Sequence, residues 1–178
     1  FRGGSPPADG VIARRLSPIQ LIVCAAPDYL ARHGKPASID ALDAHCCTGY
    51  RRANTGRLAP WEFQSGEEIE CREIQPAIST NDVAAETDAV LAGLCIGQLA
   101  SFTAASHIRA GRLVPLLTET VTQRESLYVY YRNRTEQPLR VRRLVDFMIE
   151  QINASRDFYL TPAELQKAER QAQRAQTR

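Results

Sequence analysis

Two kinds of residue in this 178-residue chain could do chemistry: a cysteine-histidine cluster and three polar stretches able to hold an anion. His45-Cys46-Cys47 sets an imidazole beside two thiols, the raw material of a thiol nucleophile or a zinc site. An extended backbone, however, sends Cys46 and Cys47 to opposite faces, and adjacent residues do not make a nucleophile with its base. A zinc site built from His45, Cys46, Cys47 and a distant Cys71 or Cys95 lacks the paired spacing that zinc ligands use. Cys24, Cys46, Cys47, Cys71 and Cys95 form an odd set without CxxC spacing, which fits reduced structural thiols. The common enzyme signatures G-x-S-x-G, Walker loop, G-x-G-x-x-G and H-E-x-x-H are absent from the sequence. The expectation is a protein that is not an enzyme, with no catalytic residue, no metal and no cofactor.

The polar stretches are Arg2-Gly3-Gly4-Ser5, Thr48-Gly49-Tyr50-Arg51 and Thr80-Asn81. In an open α/β sheet, ligands collect beyond the carboxyl ends of strands and at helix N-termini, where backbone N–H groups favour anions. Each stretch also has a plainer reading: a glycine turn, an exposed strand end and an ordinary N-cap. Together they point to a site for a small anionic molecule.

The elements that would position them follow from hydrophobic patterning. Residues 20–26 form a continuous apolar run, the signature of a strand covered on both faces. Pro27 opens a short helix over 27–33 that Gly34 ends, and Ser38 caps a second one through Ala44. Cys46–Arg51 reads as strand, and 61–64 with 69–74 as a short antiparallel pair across Ser65-Gly66. Thr80-Asn81-Asp82 caps a small-residue helix over 82–92 that Gly93 stops. Residues 94–99 are a second buried strand, Ser101 caps a helix ended by Gly111, 113–117 is extended, and 127–131 is the last strand. Pro138 begins the longest helix, with Val141, Leu144, Val145, Met148 and Ile152 on one stripe. Thr161-Pro162-Ala163-Glu164 has the form of a capping box, but Leu165 is the only large apolar residue after it, so the last helix is expected to be loosely held. Strands alternating with helices predict an α/β fold with a central, mostly parallel sheet containing both apolar runs, flanked by helices over 82–92 and 101–110.

The net charge of +2, from 22 basic and 20 acidic residues, is too small to grip nucleic acid through phosphates. No apolar stretch approaches the roughly 20 residues that span a bilayer, so no membrane contact and a cytoplasmic location are expected. The start at Phe1-Arg2-Gly3-Gly4 looks like a strand end followed by a turn, as in a piece of something longer.

The ordered series Phe1-Arg2-Gly3-Gly4, Ile12-Ala13-Arg14-Arg15-Leu16, 21–34 (LIVCAAPDYLARHG), Tyr50-Arg51, Trp61-Glu62-Phe63, Asn81-Asp82, 91–99 (LAGLCIGQL), Gly111-Arg112-Leu113-Val114-Pro115 and 141–147 (VRRLVDF) resembles the C-terminal effector-binding part of LysR-type transcriptional regulators. The chain departs from that pattern at Cys95, where Gly is common, at Ala100, where Pro is common, and in a tail, Thr161–Arg178, that runs past the usual end. The resemblance implies a fold like that of type 2 periplasmic binding proteins, with a small-molecule effector between two lobes. It implies that residues 1–4 are a hinge from the first lobe, 5–129 the second lobe, 130–155 a return with the closing helix, and 156–178 a helical or frayed tail. It also implies a homo-oligomer, dimer or tetramer in full length, whose DNA contacts are made only by a separate N-terminal winged helix-turn-helix. The charge at the expected cleft suggests a carboxylate-bearing metabolite held by Arg2, Gly3, Arg51, Thr80 and Asn81, with Thr48 and Tyr50 giving hydroxyl contacts and Leu99 an apolar wall. The competing reading is a free-standing solute-binding protein of the same fold.

Overall fold

The structure, a computed structural model, describes residues 2–4, 11–132 and 139–176. Its backbone is organised by one long strand, β2 (Val11–Ala25), which takes up the apolar run and extends it toward the N-terminus. Along its first part β2 pairs with β9 (Thr122–Arg132), which carries β1 (Arg2–Gly4) on its other edge. Along its last part β2 pairs with β7 (Gly97–Ala100) and β8 (Val114–Leu116). Register shifts at 15/17 and 19/21 interrupt the β2–β9 ladder. Such shifts bend a strand and increase its twist.

Alternate residues of β2 feed two cores. Ile22 and Cys24 pack with Val90, Leu99, Ala105, Leu113 and Leu165, while Val23 and Ala25 pack with Tyr29, Trp61, Phe63, Ile96 and Leu116. The run is thus covered on both faces, as its pattern requires. The direction of pairing differs from expectation: β2 is antiparallel to β7, β8 and β9 alike. Among the described residues, parallel pairing is confined to β3 (Thr48–Tyr50) with β6 (Ile78–Thr80) and to a bridge between Cys47 and Ile96. A continuous apolar run reports two covered faces and carries no information about strand direction, which depends on how distant segments return.

The local readings hold at most places. α1 is Pro27–His33, followed by Gly34 with φ +75°, and a 3-10 helix, Asp40–Ala44, follows Ser38, whose Oγ accepts from the Ala41 N–H. β4 (Trp61–Ser65) and β5 (Glu68–Arg72) form the antiparallel pair. α2 is Val83–Leu91, and Gly93, with φ +69°, closes its end. α3 (Ser101–Arg109) has Ala100 rather than Ser101 at its N-cap. Ser101 is instead a buried connector: its hydroxyl accepts from the Gln20 N–H (3.2 Å) and donates to the Phe158 carbonyl (2.8 Å).

α4 (Leu139–Ala154) is a 16-residue helix that carries the expected stripe; Pro138 lies outside the described residues. Val145 and Ile152 of its stripe are buried, whereas Leu144 is 57% exposed, and Asp146 holds Arg14 of β2 at 2.6 Å. The last helix, α5 (Pro162–Gln176), is docked rather than loosely held. Leu165 is 1% exposed inside the first core beside Leu160. Gln20 clamps Leu160 on both sides, donating to its carbonyl and accepting from its N–H at 2.8 Å each. The capping box forms: Glu164 accepts from the Thr161 N–H (2.9 Å), and the Thr161 hydroxyl oxygen accepts from the Glu164 N–H (3.2 Å). Glu169 adds an ion pair to Lys35 and a bond from the Thr118 hydroxyl. One large residue anchors a helix when the pocket that receives it is already built.

Candidate functional site

The candidate site lies at the carboxyl ends of the parallel strands. Thr48, Gly49 and Tyr50 of β3 lie opposite Ile78, Ser79 and Thr80 of β6, and the Arg51 N–H continues the ladder to the Thr80 carbonyl (2.7 Å). Gly49 is required there: a Cβ would stand 2.8 Å from Pro76 Cγ and 2.9 Å from Leu58 Cδ2. Tyr50, Arg51, Thr80 and Asn81 are therefore brought together. The Arg51 guanidinium is exposed and positioned by neutral acceptors, with Nε donating to Ser79 Oγ and Nη1 to the Gly56 carbonyl, both at 3.1 Å.

Three expected members take other places. Thr48 is buried, and its hydroxyl donates to Glu86 Oε1 at 2.7 Å, so it is committed inside the fold. Leu99 is 2% exposed in the first core rather than on a cleft wall, because the alternation of β7 turns it inward under α2 and α3. Gly3 lies in β1 opposite Leu127 of β9; the Arg2 side chain and Ser5 lie outside the described residues. The α2 N-terminus is capped by Asp82, which accepts from the Ala84 and Ala85 N–H groups, rather than by Thr80 or Asn81. Thr80 Oγ1 accepts from the Asp82 N–H instead (3.1 Å). Those first N–H donors are thus already occupied by a carboxylate.

The structure adds acidic residues that sequence reasoning missed. Glu86 sits one helical turn before buried Val90 and shares its inward face; burial raises its pKa, opposed by the Thr48 hydrogen bond. The helical period was the available signal for it. Glu62 of β4 is locked by Gln98, whose side chain accepts from the Glu62 N–H (3.0 Å) and donates to its carbonyl (2.8 Å). Its Oε2 is buried without a hydrogen-bond partner, and Arg124 stands 3.9 Å from Oε1. Glu125 of β9 is pushed up by burial first and by Glu62 second. Nothing local in the sequence links residues 62, 98 and 125.

Cys47 and Cys95 have the opposite of nucleophile activation. Burial pushes Cys47 up to about 12 and Cys95 up to about 11, holding both protonated. The Tyr29 hydroxyl accepts from the Cys46 N–H (3.1 Å) and shares a hydrogen bond with His45 Nδ1 (3.2 Å), so His45 is bound to a structural tyrosine. Burial, then His33, lowers the His45 pKa. Among the described residues no group of three or more His, Cys, Asp or Glu side chains could hold a metal ion. Nor is any helix among them long and apolar enough to cross a membrane.

Comparison with known proteins places this geometry in context. The family described as LysR substrate binding domain matches residues 1–153. The chain is 34% identical over 131 residues to the uncharacterized HTH-type transcriptional regulator YcaN of Escherichia coli K12, covering 74% of this chain and 42% of that protein. It is 30% identical over 154 residues to the HTH-type transcriptional regulator CrgA of Neisseria meningitidis, covering 85% of this chain and 50% of that one. The chain spans about half the length of the curated relatives it matches. The CrgA regulatory domain structure superimposes with a TM-score of 0.70 at 29% identity, covering 84% of this chain and 72% of that one.

Proposed function

The chain belongs to the LysR substrate-binding domain family, the regulatory domain of LysR-type transcriptional regulators, and on that premise we propose that it binds a small carboxylate-bearing metabolite beside the carboxyl ends of β3 and β6. The observation that carries this reading is Arg51. Its guanidinium is oriented by Ser79 Oγ and the Gly56 carbonyl, and among the described residues it enters no ion pair. An arginine positioned by neutral acceptors keeps its full charge for a ligand carboxylate, which it can grip with two parallel N–H donors. Tyr50, Thr80 and Asn81 supply polar contacts around it, whereas the α2 N-terminus, already capped by Asp82, adds little.

Residues 1–4 act in this reading as the hinge, 5–129 as the second lobe and 130–155 as the return that closes the first. Occupancy of the cleft controls DNA binding by a separate winged helix-turn-helix, in a cytoplasmic homo-oligomer. The test is calorimetric titration of the full-length regulator with a panel of small mono- and dicarboxylic acids, repeated with Arg51→Ala. A charge-assisted hydrogen bond worth about 1.5–3 kcal/mol predicts a loss of roughly tenfold or more for any acid that binds. Unchanged affinity in the variant would remove Arg51 from the site.

A further inference from the structure

We infer that Cys46 and Cys95 form a peroxide-oxidisable pair, closing a disulfide across the parallel bridge between the start of β3 and the start of β7. The inference rests on register. Cys47 lies opposite Ile96 in a parallel bridge, with the Ile96 N–H donating to the Cys46 carbonyl and the Thr48 N–H donating to the Ile96 carbonyl, both at 2.8 Å. In parallel register the preceding pair is Cys46 with Cys95 and the following pair is Thr48 with Gly97. Side chains alternate faces along a strand. Cys47 and Ile96 both enter the second core, so Cys46 and Cys95 share the other face.

The following pair tests this placement independently. A Cβ built on Gly97 would stand 3.1 Å from Thr48 Oγ1, so side chains at opposed positions on this face do meet. The same face holds Glu86, bonded to Thr48, and both Glu86 and Cys46 act electrostatically on the Cys95 thiol. Neighbouring strands run about 4.7–4.9 Å apart, inside the Cα separation of about 4.4–6.8 Å that a disulfide spans. Burial differs sharply within the pair: Cys46 is exposed and Cys95 is fully buried, and both are free thiols.

That asymmetry assigns the roles. The exposed Cys46 thiolate attacks the O–O bond of hydrogen peroxide, becoming a sulfenic acid and releasing water once the leaving hydroxide takes up a proton. The Cys95 sulfur then attacks the sulfenic sulfur, and its proton leaves with the hydroxyl as a second water. Two thiols and one peroxide give one disulfide and two waters. The product ties the start of β3 to the segment between α2 and β7, two residues from the Thr48–Glu86 contact. It does not depend on the ligand assigned to the Arg51 site.

The test uses the full-length regulator, reduced, exposed to hydrogen peroxide, alkylated and digested with trypsin. Cys46 and Cys47 fall on the peptide 33–51, Cys95 on 73–109, Cys24 on 16–32 and Cys71 on 58–72. The expected product links 33–51 to 73–109, with fragmentation placing the bond at Cys46 and leaving Cys47 alkylated, and a reductant reverses it. Cys46→Ser should abolish the link, and Cys47→Ser should keep it. A sulfinic or sulfenic Cys46 beside a freely alkylated Cys95 would overturn the pairing. So would a bond from Cys47, Cys24 or Cys71 to Cys95; the fragmentation of the unsubstituted protein decides this even if a variant fails to fold.

Discussion

Replacing Leu165 by alanine is the sharpest test of whether the C-terminal helix is part of the folded domain. Leu165 is 1% exposed and packs in the core that also holds Ile22, Leu113 and Leu160. Removing three carbons forfeits about 2.4 kcal/mol of transfer free energy at ~0.8 kcal/mol per methylene. The cavity left behind adds to this, and buried Leu→Ala changes cost about 2–5 kcal/mol, so about 3–4 kcal/mol is expected here. At roughly 2–4 °C per kcal/mol for a domain of this size, the melting temperature should fall by roughly 6–15 °C. Thermal unfolding followed by circular dichroism reads this directly, and trypsin cleavage at Lys167 and Arg170 should accelerate in the variant. Lys167→Ala, on the exposed side of the same helix, is the control and should stay within about 0.5 kcal/mol of the parent. If Leu165→Ala behaves like that control, the helix is not held by the core and the packing argument fails.

Gln20→Leu should lower the urea midpoint with an unchanged slope, because it strands the Leu160 N–H and carbonyl that Gln20 now satisfies; at about 1–3 kcal/mol per orphaned group the cost is about 2–6 kcal/mol. A midpoint equal to the parent's would show that water replaces the amide. Glu164 is held down from 4.5 to about 2, chiefly by the Thr161 N–H and further by the Thr161 hydroxyl and Arg109. A depressed carboxyl stabilises the fold above its unfolded value and ceases to do so as pH falls from about 4.5 toward 2. Glu164→Gln should therefore cost about 1 kcal/mol at neutral pH, the usual worth of a cap, and flatten the acid limb of a pH–stability curve. Superimposable curves for the two proteins would refute the capping role.

Local signals in the sequence proved reliable at most places where the chain contacts itself within a few residues, Ser101, which does not cap α3, being an exception. Pro27 and Gly34 bracket α1, Ser65-Gly66 turns β4 into β5, and Thr161 with Glu164 closes a capping box as its spacing requires. What depended on distant partners was not legible. The antiparallel direction of β2 follows from the return of segments 97–100, 114–116 and 122–132, and apolarity alone is silent about it. Of the residues expected at the site, Tyr50, Arg51, Thr80 and Asn81 are neighbours because β3 and β6 run in register. Thr48 and Leu99 belong to the interior, since strand alternation assigns a face only after the neighbouring layer is known. Asp82 captured the helix end because the N-cap falls two residues later than the first polar residue of the cluster. Residues 154–176, beyond the family match, nevertheless complete the core through Leu160 and Leu165.

The pairing of β2 also sets a timetable. Its strand partners β7, β8 and β9 begin at residues 97, 114 and 122, and the side chain of Gln20 waits for Leu160. The most apolar segment of the chain is consequently made long before any strand that pairs with it. From Ala25 to Gly97 lie 72 residues, so at ~5–20 residues per second the ribosome leaves that strand without a neighbour for roughly 4–14 s. Throughout this interval its edges, and the face that Leu99, Leu113 and Leu160 will cover, offer an adhesive surface to other nascent chains. Such a domain should depend on holding factors during synthesis, and slower translation would lengthen its exposure rather than help it fold.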